Sequence, residues 1–409
     1  MAGRRRVAPD HPYGAVNPPI VRSSTFSYPT AAEGARRFAV AGGDGSQGEP
    51  GLFYSRMDNP TVAALENHLA QLEGGEAALA TASGMAAIHC ALMSLLKPGS
   101  RVVADPCVYG CTHTLLGKLR DWAVKVTLVD TSDAAALDAA VRKGVDVVFI
   151  ETPMNPTLRV VDLQHAAKVT HKAGGLLVVD NSFCTPVAQQ PLSLGADLVV
   201  HSLTKGVNGH SDLLGGAVIG PKRLVDKAWE WRKDAGAIMD AETAWLVLRG
   251  SHTMELRVSR SSESALALAQ TLQAQGIKVT HPLLKGHPDH KVAKAQMSGC
   301  AVLTIDLDSA KAAMSFLDRL KLFTRAVSLG GYESLACHPA STTHASLGAE
   351  GQAKAGITPG LIRLAVGIEP YEAIAEDVLG ALQRRPVAGM DVKAKPKAAA
   401  REVSTRSIR

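Results

Sequence analysis

Two residues that can do chemistry together follow separate valine-rich runs of the sequence. Asp180 comes directly after the run at 176–179, and Lys205 comes shortly after the run at 197–200. Residues just past the carboxyl ends of parallel strands face one ligand crevice. A lysine there can form a Schiff base with an aldehyde cofactor, and a carboxylate can keep a pyridinium nitrogen protonated. Pyridoxal phosphate needs such a pair, but these two residues alone favour a simpler interpretation, an ion pair at a sheet edge.

Hydroxyl groups and a predicted helix start favour the cofactor interpretation. Ser202 and Thr204 place side-chain hydroxyls close to the lysine in sequence. The segment Ser83-Gly84-Met85 precedes a predicted helix. Because the free N–H groups at a helix N-terminus bind phosphate, these residues together predict a phosphate site.

The elements that must position these residues are those of an α/β domain. Continuous valine-rich runs at 101–103, 146–150, 176–179 and 197–200 alternate with helix-like segments. Such runs are typical of parallel strands that are buried on both faces. Tyr109 follows the first run in a glycine-flanked loop of a chain with only 7 Phe, 4 Trp and 6 Tyr. Stacking on an aromatic cofactor therefore explains it better than a place in the core.

Helix signals mark the start of this domain, and a different pattern follows it. Asn59-Pro60 is a cap and first-turn pair, and Gly74-Gly75 ends the helix. Polar residues interrupt the uncharged run at 77–96, so it predicts a buried helix rather than a membrane span. Beyond about residue 250, alternating strands at 303–307 and 362–368 mix with amphipathic helices.

These patterns divide the chain of 409 residues into four segments. An N-terminal arm at 1–58 precedes a large domain at 59–250 and a smaller α+β domain at 251–385. The basic segment 386–409 has no apolar period, and its composition predicts a disordered tail.

The net charge of +6 does not indicate a nucleic-acid-binding protein. Eight basic and two acidic residues lie within 384–409, so the rest of the chain is neutral. These basic residues lack aromatic partners for bases, and no nucleic-acid partner is expected. A GxGxxG match at 43–48 lacks the preceding strand and following helix that dinucleotide binding requires.

Cysteines and the amino terminus indicate the compartment. Six cysteines are too sparse for a disulfide framework, and no apolar signal segment follows the first arginines. We therefore expect a cytoplasmic protein without a membrane partner. The segment His287-Pro288-Asp289-His290 contains residue types that bind metal ions, but its proline prevents two of them from acting as a pair of ligands on one helix. It predicts a solvated loop, and no metal is expected.

Specific motifs extend through the chain from about residue 18 to 382. They are Tyr54-Ser55-Arg56, Asn59-Pro60-Thr61, Ser83-Gly84-Met85, Val179-Asp180-Asn181, His201-Ser202-Leu203-Thr204-Lys205, Gly209-His210-Ser211-Asp212, Ser328-Leu329-Gly330-Gly331, Glu333-Ser334-Leu335 and Arg363-Leu364. These segments resemble the pyridoxal-phosphate-dependent enzymes of cysteine and methionine metabolism. The resemblance implies fold type I, the aspartate aminotransferase-like fold, with a mostly parallel sheet in the large domain.

The resemblance implies a role for each matched residue. Lys205 would join the cofactor aldehyde, Asp180 would pair with the ring nitrogen, and Tyr109 would stack on the ring and act as general acid. The remaining implied contacts are Ser83, Gly84, Met85, Ser202 and Thr204 at the cofactor phosphate, Tyr54 and Arg56 from a neighbouring subunit, and Asn155, Ser334, Arg363 and Cys111 at the substrate. Sites shared in this way require at least a dimer, and the family is usually a tetramer.

Local features near the site separate the members of this family. Cys111 and the segment at 232–236 resemble methionine γ-lyase, which implies γ-elimination of methionine to methanethiol, 2-oxobutyrate and ammonia. Glu333 and its neighbours resemble cystathionine lyases instead. Gly206-Val207 departs from the aromatic and aliphatic pair usual after the lysine. The alternatives are a cystathionine γ- or β-lyase, an O-acylhomoserine sulfhydrylase or cystathionine γ-synthase, and a cofactor-binding scaffold or regulator without turnover.

Overall fold

The structure, a computed structural model, describes residues 14–42 and 51–382. The GxGxxG match at 43–48, the first part of the predicted arm and the predicted basic tail lie outside these residues.

A seven-stranded sheet forms the centre of the larger part of the molecule. Its strands are β1 (Ala77–Thr81), β2 (Arg101–Ala104), β3 (Lys125–Leu128), β4 (Val147–Glu151), β5 (Leu176–Asp180), β6 (Leu198–Ser202) and β7 (Gly216–Gly220). Their order is β1-β7-β6-β5-β4-β2-β3. The five strands from β2 to β6 pair with one another in parallel. Strand β7 is antiparallel to both of its neighbours, β6 and β1. The predicted fold class, with a mostly parallel sheet, is confirmed.

The helices of this part of the molecule are α1 (Ala31–Gly42), α2 (Pro60–Glu73), α3 (Gly84–Leu95), α4 (Gly110–Leu119), α5 (Ala134–Val141), α6 (Leu163–Lys172), α7 (Thr185–Ala188), α8 (Lys222–Ala235) and α9 (Ala241–Ser251). Helices from α2 onward cover both faces of this sheet, and α1 precedes them in the chain. Successive residues of each central strand enter different cores. Val178 packs into the core with α3 and α8, and Val179 packs into the core with α5 and α6. This double burial explains the continuous valine runs.

A five-stranded sheet forms the second, smaller core. Its strands are β8 (Lys278–Thr280), β9 (Val302–Asp306), β10 (Thr324–Arg325), β11 (Leu335–Cys337) and β12 (Leu361–Ala365), and its helices are α10 (Met254–Ala274), α11 (His290–Gln296), α12 (Ala310–Arg319), α13 (Gly348–Lys354) and α14 (Tyr371–Ala381). The strands predicted at 303–307 and 362–368 correspond to β9 and β12, and β12 is buried along its whole length. Ile362 and Leu364 pack under the helices, while Ala365 packs into a separate core with Leu158.

Caps in the sequence give accurate helix bounds where they occur. Helix α2 begins after Asn59, whose side chain accepts the N–H groups of Thr61 and Val62, and ends at Gly74. The buried helix predicted over 77–96 is wrong in its first part. Residues 77–81 form β1, which pairs with β7, and the helix begins only at Gly84.

The segment 287–290 is not the solvated loop that its composition predicted. Asp289 accepts from Arg159 at 2.7 Å and from the N–H of Val160 at 2.9 Å, and His287 is buried. This carboxylate joins the small domain to the loop after β4. The part of the chain that the structure describes contains no group of three His, Cys, Asp or Glu placed to hold a metal ion.

Candidate active site

Asp180 is the last residue of β5 and is buried at the carboxyl edge of the parallel strands. Its carboxylate accepts the N–H of Ser182 at 3.0 Å, and Ser182 Oγ accepts the N–H of Ser202 at 2.7 Å. This chain of bonds joins the ends of β5 and β6. Burial raises the pKa of Asp180, while the hydrogen bonds from Ser182 and the charge of His201 act in the opposite direction. A cationic ring nitrogen beside this carboxylate would stabilise its charged form.

Lys205 follows β6 in the same part of the molecule. Its Nζ donates to Ser328 Oγ at 2.8 Å, which ties it to the small domain. Burial, assisted by the positive charge of Arg363, lowers the pKa of Lys205 to about 8. The neutral amine is the form that attacks an aldehyde, so this environment suits a Schiff-base lysine.

The N-terminus of α3 lies against the end of β6. Ser83 caps the helix by accepting the N–H of Ala86 at 3.1 Å. The N–H groups of Gly84 and Met85 lie in the first turn and therefore have no intrahelical partners. A methyl group at position 84 would lie 2.8 Å from Ser202 Cβ. Glycine is therefore what allows the helix start and the Ser202 side chain to approach one point. Thr204 is also adjacent, with its hydroxyl accepting the N–H of Gly215 at 3.0 Å.

Tyr109 and Cys111 lie together at the start of α4. Tyr109 is 41% exposed and Cys111 is exposed, so both can meet a ligand. Interaction with the Cys111 side chain, followed by burial, raises the pKa of Tyr109. The phenol therefore keeps its proton at neutral pH, as a general acid must.

Arg363 and Asn155 form the predicted carboxylate site. Arg363 is buried on β12, and its Nη1 donates to Asn155 Oδ1 at 2.9 Å. Its Nη2 donates to the carbonyls of Val327 and Ser328, both at 3.0 Å. Within the described residues, Nε of Arg363 has no hydrogen-bond partner although it is buried. A buried, unsatisfied donor on a guanidinium suits an anionic group of the substrate.

Three predicted site residues are not joined to this cluster by any contact in the described part of the chain. Ser334 is buried, and its hydroxyl donates to Glu369 at 2.8 Å and accepts the N–H of Gly367 at 2.9 Å. Arg56 donates to the carbonyl of Lys233 at 2.7 Å, and its guanidinium lies over the ring of Tyr54.

Sequence reasoning missed other residues that the structure brings to the site. Ser328 contacts Lys205, and Glu151 accepts the N–H of Tyr109 at 2.8 Å. The position of Glu151 at the end of a valine run was a usable signal, the same one that identified Asp180. Ser328 carries no such signal, because its contact crosses between the two sheets.

These groups fit pyridoxal phosphate. The described residues supply an amine with a lowered pKa, a buried carboxylate at the neighbouring strand end and a glycine cradle at a helix N-terminus. Each would hold a different part of the cofactor: its aldehyde, its ring nitrogen and its phosphate.

Residues 3–383 match the family model described as Cys/Met metabolism PLP-dependent enzyme. The chain belongs to this family. It is 42% identical over 380 residues to an L-methionine gamma-lyase of Fusobacterium nucleatum subsp. polymorphum, covering 91% of this chain and 94% of that protein. It is 40% identical over 379 residues to a cystathionine gamma-lyase of Bacillus subtilis, covering 91% and 96%. Among solved structures, a cystathionine gamma synthase from Xanthomonas oryzae pv. oryzae superimposes with a TM-score of 0.84 at 39% identity, covering 91% of this chain and 94% of that one.

Membership confirms several of the sequence predictions. The protein is a pyridoxal-phosphate-dependent enzyme of the carbon–sulfur lyase type, and it has fold type I. None of the helices in the described residues is long and apolar enough to cross a membrane.

Proposed function

We propose that this enzyme catalyses γ-elimination from L-methionine or a related sulfur amino acid. The observation that carries the proposal is that Lys205, with a lowered pKa, and Tyr109, with a raised pKa, both follow parallel strands at the same edge of the sheet. Such a pair supplies a base and an acid at the same pH. The products would be methanethiol, 2-oxobutyrate and ammonia, with one water consumed.

Each residue then has a defined task. Arg363 and Asn155 bind the substrate carboxylate and orient the Cα–H bond toward Lys205. Bound pyridoxal phosphate supplies the electron sink for the electrons released at Cα. Lys205 takes the Cα proton, and Asp180 keeps the proton on the ring nitrogen. A second proton then leaves Cβ, and the electron pair of that C–H bond expels the sulfur from Cγ. Tyr109 gives its proton to the departing sulfur, which leaves as a neutral thiol.

The preference for methionine is supported by Cys111 and by the names of relatives. Cys111 is the exposed neighbour of the acid Tyr109, and its small, polarisable sulfur suits contact with the methylthio end of methionine. Relatives from Fusobacterium nucleatum and Pseudomonas putida are named L-methionine gamma-lyase.

Cystathionine is a second candidate substrate, because Glu333 offers a partner for its distal ammonium group. One oxygen of Glu333 accepts from Ser211, and within the described residues its buried Oε2 has no hydrogen-bond partner. An unpaired carboxylate oxygen favours a cationic ligand group. Methionine has no such group on its side chain, so Glu333 separates the two candidates.

The experiment is to supply methionine, cystathionine, cysteine and O-acetylhomoserine in parallel to the cofactor-loaded enzyme. We expect methionine to give equal amounts of 2-oxobutyrate and methanethiol, and Glu333→Gln to leave this rate nearly unchanged. Cystathionine turnover that exceeds methionine turnover and falls in Glu333→Gln would establish the second candidate. No turnover of any substrate would favour a scaffold or regulator.

Assembly and location are part of the same proposal. We propose a homotetramer built from two dimers. In each dimer, Tyr54 and Arg56 of one subunit complete the phosphate site of the other subunit. Arg56 lies over the ring of Tyr54, so the two side chains stay together as one unit that could meet a single phosphate group. A cytoplasmic location is supported by the six cysteines, all of which are free.

A further inference from the structure

A second carboxyl group lies at the strand edge that carries the active site. Glu151 ends β4 and is 4% exposed. Its Oε2 accepts the N–H of Tyr109 at 2.8 Å, and its carboxyl group also accepts the N–H of Asn155. Tyr109 follows β2 and Asn155 follows β4, so one side chain fixes two loops on which the predicted chemistry depends. Neither backbone N–H belongs to a strand ladder.

Glu151 and Asp180 are neighbours across the sheet. They are paired in the parallel register of β4 and β5, and both are buried. Two like charges at such a distance in a buried site do not ionise together. Burial, and then the charge of Asp180, raises the pKa of Glu151 to about 8. Of the two carboxyl groups, Asp180 carries the charge, because the hydrogen bonds from Ser182 favour its ionised form.

We propose that Glu151 is a positioning residue of the cofactor site, which holds the Tyr109 and Asn155 backbones in place beside Asp180. The division of labour follows from the contacts. Asp180 faces the ring nitrogen as the charged group, and Glu151 sets the two loops that bear the stacking phenol and the carboxylate-binding amide. The proposal rests on the cofactor site and is independent of which sulfur amino acid is the substrate.

The test measures cofactor binding without substrate. In Glu151→Gln an NH₂ group replaces one carboxyl oxygen, and this group cannot accept a hydrogen bond from a backbone N–H. We expect the Kd of the apo protein for pyridoxal phosphate to rise about tenfold, the effect of losing one hydrogen bond to a carboxyl group. The visible circular dichroism of the bound cofactor should fall by about half or more, because a Tyr109 ring that is no longer fixed would hold the cofactor in a less asymmetric environment.

A second variant and a control separate positioning from folding. Glu151→Asp keeps the carboxyl group but shortens its reach, and it should show the same change in Kd and circular dichroism. Asp377→Asn is the matched control, since Asp377 accepts the N–H groups of Lys321, Leu322 and Phe323 in the small domain. It should lower the melting temperature and leave both cofactor signals at their wild-type values.

Two results would overturn the proposal. The first is a wild-type Kd with unchanged visible circular dichroism in either Glu151 variant. The second is unfolding of both apo variants, because that would assign Glu151 to the stability of the sheet. The cofactor signals do not depend on turnover of a sulfur amino acid. The substrate proposal can therefore fail while the proposal for Glu151 holds, and the reverse is also possible.

Discussion

Lys205 shows how the protein environment prepares a single residue for its reaction. Burial and the nearby Arg363 disfavour the ammonium form, and the pKa of Lys205 falls to about 8. Since only the neutral amine attacks an aldehyde, the rate at which apo protein captures pyridoxal phosphate should rise with pH and level off above about 8. Stopped-flow absorbance of the apo protein would measure this rate.

The cofactor itself also titrates, so the rate should be divided by that of Nα-acetyl-lysine amide at each pH. The ratio should be constant below about pH 8 and fall above it, because the free lysine amine, with a pKa of about 10.4, continues to gain its neutral form. Arg363→Gln removes the positive charge and should move the start of this fall to higher pH. A ratio that stays constant up to pH 9 contradicts the assigned pKa.

Gly206 explains part of the unusual sequence after the lysine. A methyl group at position 206 would lie 2.7 Å from Thr185 Cγ2, and the backbone of Gly330 approaches from the small domain. Gly206→Ala should therefore lower the free energy of unfolding of the apo protein by about 1–3 kcal/mol, the usual effect of overpacking. Urea unfolding followed by far-ultraviolet circular dichroism would measure it.

A rescue and a control make this prediction specific. Thr185→Ser removes Cγ2 and keeps the hydroxyl, so the double variant should recover most of the loss. Gly117→Ala changes an exposed glycine of α4 with no neighbour within 4 Å, and it should raise stability by up to about 1 kcal/mol through helix propensity. Equal destabilisation of the single and double variants would show that the contact with Thr185 is not the cause.

At the scale of elements, the sequence predicted what depends on local signals. Asn59 and Gly74 bound α2 correctly, and the valine runs located β2, β4, β5 and β6. The run at 77–96 failed because its composition stays uniform while the backbone changes from β1 to α3. Only the pairing of β1 with β7, more than a hundred residues away, makes its first part a strand.

The active site likewise contains residues that local signals predict and residues that only the packing shows. Asp180 and Lys205 were predicted because they follow the ends of strands. The choice between Ser328 and Ser334 was not, because it depends on how the small domain packs against Lys205. The shared role of Glu151 depends similarly on two loops that meet only in three dimensions.

The contact between α3 and β6 gives a prediction about an element. In Gly84→Ala the added methyl group would meet Ser202 at 2.8 Å and push the helix start from the phosphate position. The affinity for pyridoxal phosphate should fall about tenfold or more, as expected for the loss of a hydrogen bond to a charged group. The affinity for pyridoxal, which lacks the phosphate, should change little. Isothermal titration of the apo protein with both compounds would measure the difference, and an equal loss for both would contradict a phosphate site at α3.

At the scale of the whole molecule, the positions of Tyr54 and Arg56 make assembly part of the catalytic argument. In the described chain Arg56 contacts Lys233 at the end of α8 and lies over the ring of Tyr54, and no hydrogen bond joins either residue to Lys205 or Asp180. If a partner subunit brings them to the phosphate, a Lys205→Ala chain and an Arg56→Ala chain complement each other. A dimer with one chain of each kind contains one native site and one doubly defective site.

The two chains can be co-expressed with different affinity tags and the mixed dimer purified through both. Each variant alone should have little activity, and the mixed dimer should recover about half of the wild-type rate per dimer, because one of its two sites is intact. A mixed dimer of Lys205→Ala and Asp180→Ala is the matched control. Both of those residues belong to the same subunit's site, so no native site forms and no activity returns. If the Arg56 pair also stays inactive, each subunit builds its phosphate site alone, and the protein needs its partner for stability rather than for chemistry.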